Sequence, residues 1–171
     1  MTKVEMMMET RLNVTSCCFI GVLILCCIVS GCSGMRPYPN TLAKNLYINT
    51  ETKSGSIFSK VRATVKIYRV DERCQIKYEG TVPLDRPLVE VGIPSDRLSY
   101  LVFNFSCSSF LANSSSSISQ DTLLKPRSGY HYDIKVSYIE DIYNVTVREK
   151  HPQRSSEREI ELRDLAACGS L

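Results

Sequence analysis

The stretch L-L-K-P-R-S-G-Y-H-Y-D-I-K-V-S-Y, residues 123–138, carries the clearest structural pattern in the chain. Pro126 and Gly129 frame a turn, after which apolar and polar side chains alternate from Tyr130 to Tyr138. Because successive side chains of a strand point to opposite faces, this alternation predicts a half-buried β-strand. Its tyrosines are interpreted as core and rim residues of a sheet, with a ligand platform as the alternative.

A second alternating segment follows at once and predicts a partner strand. Glu140 and Asp141 mark a turn, and the apolar side chains of Tyr143, Val145 and Val147 then recur at every second position. Two such segments joined by a short turn predict a β-hairpin near the C-terminus.

Upstream segments repeat the strand pattern. Residues 61–68 alternate between apolar and polar side chains, and residues 89–93 supply another apolar face. The run Y-L-V-F-N-F, residues 100–105, is apolar on both faces and predicts a central strand that is either buried on both sides or covered by a second sheet. Three bulky side chains share one face of this strand: Leu101, Phe103 and Phe105.

The spacing of these segments predicts the fold class. Six to eight short strands at intervals of about 8 to 12 residues are typical of an all-β antiparallel sandwich. An immunoglobulin-like or a transthyretin-like Greek key satisfies this pattern, and an open barrel fits equally well. Residues 106–119 are rich in serine and are predicted to form a surface loop.

Changes in composition divide the chain into four parts. Residues 1–31 are interpreted as a signal peptide, and residues 32–45, which contain two prolines and a glycine, as a tether. Residues 46–150 form the predicted sandwich. Residues 151–171 form a tail that is either an edge strand or a short helix, and its alternation favours a strand at residues 159–163.

The N-terminal segment has the features of an export signal. Lys3 and Arg11 give a weakly positive start, and residues 14–29 are free of charge. The most apolar part of this run, residues 17–29, is short for a membrane span, which takes about 20 residues. It ends in the small residues that precede a cleavage site. A signal anchor that is not cleaved is the alternative.

The end of this run, Val29-Ser30-Gly31-Cys32, resembles the lipobox of bacterial lipoproteins. The resemblance implies that the Cys32 thiol receives a diacylglycerol, that the chain is cleaved just before Cys32, and that the mature protein is held on a membrane by acyl chains such as palmitate. Ser33 is not the aspartate that favours inner-membrane retention in enteric bacteria, which favours the outer membrane. The domain would then face the periplasm.

Cysteine usage changes once the leader is set aside. Four of the eight cysteines lie in the apolar run, Cys32 would carry the lipid, and three remain in the predicted domain: Cys74, Cys107 and Cys168. An oxidising compartment permits one disulfide and leaves one thiol. We expect Cys74 to pair with Cys107, since both stand at predicted strand ends; pairing of Cys168 with either is the alternative.

Composition and motifs indicate neither nucleic-acid binding nor catalysis. The formal net charge of +3 and the isoelectric point of about 8.4 are mild, and the charges are scattered. Neither of the two histidines, His131 and His151, stands in a context typical of a metal ligand or a general base. We therefore expect no cofactor, no metal and no enzymatic site.

Two functions are compatible with these features. The first is a lipid-anchored envelope protein whose non-catalytic sandwich binds a protein partner or supports an assembly. The second is a sandwich that binds a small ligand or a glycan, with tyrosines and the serine-rich segment at its rim.

Overall fold

A computed structural model describes residues 35–53, 59–109, 114–139, 142–153 and 157–170. Within these ranges the chain forms nine strands and one short 3₁₀ helix. The strands are β1 Leu46–Lys53, β2 Ser59–Val70, β3 Ile76–Pro83, β4 Leu88–Val91, β5 Ser99–Ser109, β6 Ser114–Leu124, β7 His131–Ile139, β8 Ile142–Lys150 and β9 Glu157–Ile160. The 3₁₀ helix spans Leu165–Ser170.

The strands form two sheets that enclose one main core, which confirms the predicted all-β sandwich. One sheet has five strands in the order β4-β1-β7-β8-β9, and the other has four in the order β3-β2-β5-β6. Both sheets contribute apolar side chains to the space between them. The largest fully buried side chains include Tyr132, Phe103, Phe105, Leu46, Ile48 and Ile67.

One strand pair departs from the predicted antiparallel arrangement. β1 runs parallel to β7, with Leu46 opposite Tyr132 and Lys53 opposite Ile139. Parallel neighbours need a long crossover connection. Here the whole four-stranded sheet lies between the two strands in the sequence, so the crossover is part of the sandwich itself.

The alternating segments occupy the strands that they predicted. In β2 and β5 the apolar side chains on the inner face are buried, namely Ala63, Val65, Ile67, Leu101, Phe103 and Phe105. The run at residues 100–105 is central, since β5 lies between β2 and β6. The predicted hairpin is also confirmed, because β7 and β8 pair antiparallel from His131↔Lys150 to Ile139↔Ile142; its turn residues lie outside the described ranges.

In its described part, the serine-rich segment is not the surface loop that its composition predicted; residues 110–113 lie outside the described residues. Residues 106–109 end β5, and residues 114–119 begin β6, with the two strands in register from Ser109↔Ser114 to Ser99↔Leu124. Serine has little strand preference of its own. Backbone hydrogen bonds to the central strand β5 hold this segment in a strand despite the weak preference of its side chains.

The predicted tether is also wrong for its described part, because residues 36–45 pack on the sandwich. Thr81 donates its N–H to the carbonyl of Arg36 at 2.9 Å, and Tyr38 donates to the carbonyl of Thr81 at 3.0 Å. A side chain at Gly80, whose φ is +156°, would clash with the backbone of Tyr38. Gly80 therefore permits the backbone of Tyr38 to pack closely against β3. The proline and glycine content of residues 32–45 did not predict this contact.

Both alternatives for the C-terminal tail occur, one after the other. β9 is an edge strand that pairs with β8, two residues earlier than the predicted start at residue 159. The 3₁₀ helix follows, and its Cys168 is buried. The sandwich thus extends beyond the bound predicted at residue 150.

Among the described residues, no helix has the length and apolar character needed to cross a membrane.

Candidate functional site

The cysteines pair differently from the prediction. Cys74 forms its disulfide with Cys168, with the two Cα atoms 5.9 Å apart, and Cys107 is a free, half-buried thiol. The Cys74–Cys107 pairing was therefore wrong, and one of the two alternatives is present. Cys32, the predicted lipidation site, lies outside the described residues.

The length of β5 explains why the expected pairing fails. Val70, at the end of β2, donates its N–H to the carbonyl of Leu98, so the Cys74 turn lies beside the start of β5. Cys107 stands near the other end of that strand, about 26 Å away at 3.3 Å per residue. Disulfides need Cα atoms within about 7 Å. Both cysteines do stand at strand ends, but at opposite ends of the sandwich.

The disulfide fastens the C-terminal helix to the outer face of the four-stranded sheet. Cys168 packs with Val70 and Leu123 in a second, smaller apolar cluster, and Leu165 and Tyr100 contact it from the sides. The helix therefore covers one end of that face.

Each of the two histidines packs against a tyrosine ring. His131 lies edge-on to Tyr47, with ring centroids 5.5 Å apart, and His151 lies edge-on to Tyr130 at 4.9 Å. Both are half-buried against tyrosine rings. In the part of the chain that the structure describes, no three histidine, cysteine or acidic side chains are grouped closely enough to hold a metal ion.

A buried carboxylate occupies one end of the core. Glu149 continues the inward-facing positions of β8, and its side chain is 7% exposed. Its Oε2 accepts a hydrogen bond of 2.8 Å from the hydroxyl of Tyr132, a residue with no exposed surface. That hydroxyl in turn accepts the backbone N–H of Arg127 at 2.9 Å. Burial of Tyr132 is the main cause that raises the pKa of its phenol to about 12.

Two arginines complete this cluster from the solvent side. Glu149 Oε1 lies 3.2 Å from Arg158 of β9 and 3.5 Å from Arg127 of the connection between β6 and β7. Both guanidinium groups are more than half exposed, and they border an open cleft of about 310 Å³. The cluster ties β9 and the β6–β7 connection to the core, and both carboxylate oxygens are already engaged. We therefore interpret it as a structural element.

The outer face of the five-stranded sheet is charged. Lys150 Nζ lies 2.6 Å from Asp133 and 2.8 Å from Glu157, and these hydrogen bonds raise the pKa of the lysine. Arg148 adds longer pairs of 3.8 Å to Glu157 and Glu159. Asp133, Arg148, Lys150 and Glu157 border a depression of about 600 Å³. Exposed ion pairs contribute little to stability, so this face is a solvated surface that is compatible with contact to a polar partner.

Three tyrosines form a row across the outer face of the four-stranded sheet. The Tyr68 ring lies 5.4 Å from Tyr78 and 5.8 Å from Tyr100 between centroids. The Tyr100 hydroxyl donates to Asp121 at 2.8 Å, and burial, together with that bond, raises its pKa to about 12. The rings are tilted and half-buried. All three are strand residues, and part of each remains accessible.

Sheet edges differ sharply in how they are protected. Residues 36–38 cover the outer edge of β3 at Thr81. β4 is four residues long, and the Asn40 side chain covers its outer edge. The amide N–H of Asn40 donates to the carbonyl of Glu90, and the amide oxygen accepts the N–H of Gly92. β9 is also four residues long and contains three charged side chains. Short, charged or covered edges are the usual devices against unwanted pairing.

β6 lacks these devices over most of its length. It has 11 residues, and at its C-terminal end the N–H of Leu123 donates to the carbonyl of Arg163 at 2.7 Å. Among the described residues, no strand pairs with its outer side from Ser114 to Asp121, which we call the open edge. Its first seven residues, S-S-S-S-I-S-Q, contain neither charge nor proline. An edge of this kind is a template for strand addition, and it is the candidate functional site.

Most of the open edge lies in residues 106–119, which the serine-rich composition predicted to be a surface loop. A pattern was nevertheless present, because Ile118, Thr122 and Leu124 recur at even positions that face the core, and Thr122 and Leu124 are buried. The four serines before Ile118 obscured it.

No protein-family model, no curated protein and no solved structure matches this chain.

Proposed function

We propose that this chain is a lipid-anchored protein of the bacterial cell envelope whose non-catalytic β-sandwich acts as a protein-interaction or assembly module. The lipobox-like sequence that ends at Cys32 supports the anchor. The absence of an aspartate at position 33 favours the outer membrane, with the domain in the periplasm.

The open edge of β6 is the observation that supports the interaction role. Among the described residues, the open edge carries backbone N–H and C=O groups that no other strand pairs, whereas the edges at β4 and β9 are short and the edge at β3 is covered at Thr81. An added strand satisfies these groups with main-chain hydrogen bonds.

A crosslinking experiment in intact cells tests the interaction role. We place a photo-crosslinking amino acid at Ser117 and compare Ser119→Pro with Ser119→Ala. The Leu123 N–H points outward, so the N–H of Ser119, four residues earlier, does so as well, because alternate residues of a strand share a direction. Proline removes that donor without removing a bond to β5, and alanine retains it. Adducts at position 117 should disappear with proline and persist with alanine; equal adducts in both would exclude the open edge.

The lipid anchor has a separate test. Cys32→Ala should block lipidation and leave an unprocessed precursor, because the thiol is the group that is alkylated. Labelling with radioactive palmitate, together with the mass of the N-terminal peptide, measures both effects. A variant that is still cleaved before residue 32 and still incorporates palmitate would contradict the anchor.

The tyrosine row favours a second candidate function, which is binding of a small ligand or a glycan. Aromatic faces on an open sheet surface are suited to stacking against the apolar face of a sugar ring. Glycan-array binding by the unmodified protein and by Tyr68→Ala tests this candidate. Binding that is lost in the variant supports it, and an array with no bound glycan rejects it.

A further inference from the structure

We infer that the open edge of β6 pairs with the same edge of a second copy of this chain, antiparallel about a two-fold axis. The inference rests on the proposed interaction module and names its partner. Such pairing joins the two four-stranded sheets, through β6 of each copy, into one continuous sheet of about eight strands. Contacts of this isologous kind close on themselves and produce dimers.

The direction of the backbone groups fixes which residues bond across the axis. The N–H of Leu123 points away from β5, toward Arg163. Alternate residues of a strand share this direction, so the backbone groups of four residues point outward along the open edge. These residues are Ser115, Ser117, Ser119 and Asp121.

The side chain of Ile118 indicates where the two-fold axis lies. It is the large apolar side chain of the open edge, it faces the inner side of the sheet opposite Phe105, and it is 39% exposed. With the two-fold axis at Ile118, this side chain lies opposite its own copy in a non-hydrogen-bonded pair. Such pairs bring Cα atoms to about 4.5 Å, the closest side-chain approach in an antiparallel ladder. The exposed apolar surface of both copies is then buried.

The same register also satisfies the backbone. Ser117 lies opposite Ser119 of the second copy, and Ser115 lies opposite Asp121. Each is a pair of outward-pointing residues, and each exchanges two hydrogen bonds, so that about eight bonds form across the axis. No two like charges face each other in this register.

The chemistry of the edge favours a second copy over a foreign strand. Strand-addition sites that select a particular peptide combine an open edge with pockets for alternate side chains. Serine side chains are too small to wall such pockets, and residues 114–120 contain no charge that would select an opposite charge. In a two-fold pair the register needs neither pockets nor charges, because it is set by the contact of Ile118 with the Ile118 of the second copy.

Disulfide trapping in the cell envelope tests this geometry. In a Cys107→Ser background, Ile118→Cys places the two thiols opposite each other at the axis, with Cα atoms about 4.5 Å apart, which lies within the range that disulfides span. We expect most of the protein to migrate as a dimer on a non-reducing gel and as a monomer after reduction. Ser119→Pro added to this variant should abolish the dimer.

Two neighbouring positions provide matched controls. Ser116→Cys or Gln120→Cys alone lies about 13 Å from its own copy, four residues along the strand, and should give no dimer. Coexpression of the two variants should give a mixed dimer, because residue 116 faces residue 120 across the axis. A dimer from either single control, or none from the coexpressed pair, would overturn the register.

The outcome distinguishes this inference from the proposed function. If Ile118→Cys gives no dimer, while the crosslinker at position 117 captures a different protein in a proline-sensitive manner, the second copy is wrong and the interaction module stands. If neither experiment detects contact at the open edge, both proposals are wrong.

Discussion

Replacement of Glu149 tests the account of the buried cluster at the end of the core. Alanine removes the acceptor of the Tyr132 hydroxyl, which has no exposed surface on which to find water. A buried donor without a partner costs about 1–3 kcal/mol. Arg127 and Arg158 are 57% and 64% exposed, so loss of their ion pairs adds at most about 1 kcal/mol. We therefore expect Glu149→Ala to lower the free energy of unfolding by about 1–4 kcal/mol.

Three further variants separate the hydrogen bond from the charge. Glu149→Gln retains a carbonyl oxygen for Tyr132 and should cost less than about 1 kcal/mol. Glu159→Ala, at an acidic side chain that is 65% exposed on the neighbouring strand, is the matched control and should change stability by less than about 0.5 kcal/mol. The double variant Tyr132→Phe/Glu149→Ala has no unpaired hydroxyl donor. Its loss of unfolding free energy should therefore be smaller than the sum of the losses in the two single variants.

Urea unfolding at neutral pH measures these free energies, provided that the slope is unchanged among the variants. A Glu149→Gln variant as unstable as Glu149→Ala would show that charge, rather than hydrogen bonding, governs this site. Additive losses in the double variant would show that the two side chains are not coupled, and the cluster would then lack the role assigned to it.

Three other predictions follow from the structure. Phe103→Ala should cost about 3–5 kcal/mol in urea unfolding, because the ring is 1% exposed at the centre of the core; a loss below about 1 kcal/mol would contradict that placement. Non-reducing peptide mapping should yield a Cys74–Cys168 peptide and an alkylated Cys107 peptide, and a Cys74–Cys107 peptide would contradict the fold at the C-terminus. The pKa of Tyr132 is raised to about 12 from 10.0 for a free phenol, so its contribution to stability is fully present below pH 10 and is lost as the pH rises toward 12. Phenolate absorbance should show tyrosines that titrate above pH 10, with one fewer in Tyr132→Phe. Titration of all tyrosines near pH 10 in the folded protein would refute this.

The local pattern of the sequence determined which segments are strands and which faces they bury. Alternation at residues 61–68 and 130–138, and the bulky face of residues 100–105, placed the inward side chains correctly. A period of two is a property of neighbouring residues, and it is readable without knowing which strand lies beside which. The sandwich class followed from the number and spacing of such segments.

The alternation also contained more than composition suggested. Glu149 lies two residues after Val147 in the inward register of β8, so its burial could be read from parity alone. The serine-rich segment misled for the opposite reason. Its residues have weak preferences, and their conformation is set by pairing with β5.

Tertiary structure alone decided which parts of the chain meet. The pairing of Cys74 with Cys168, the parallel contact of β1 with β7 and the packing of residues 37 and 38 on Gly80 all join segments far apart in the chain. Whether an edge is covered or open likewise depends on what the rest of the chain places beside it, as residues 36–38 do for β3. Local propensity fixes the direction in which side chains alternate, but the neighbours of a strand are fixed by the closure of the whole core, and no short stretch of sequence contains that information.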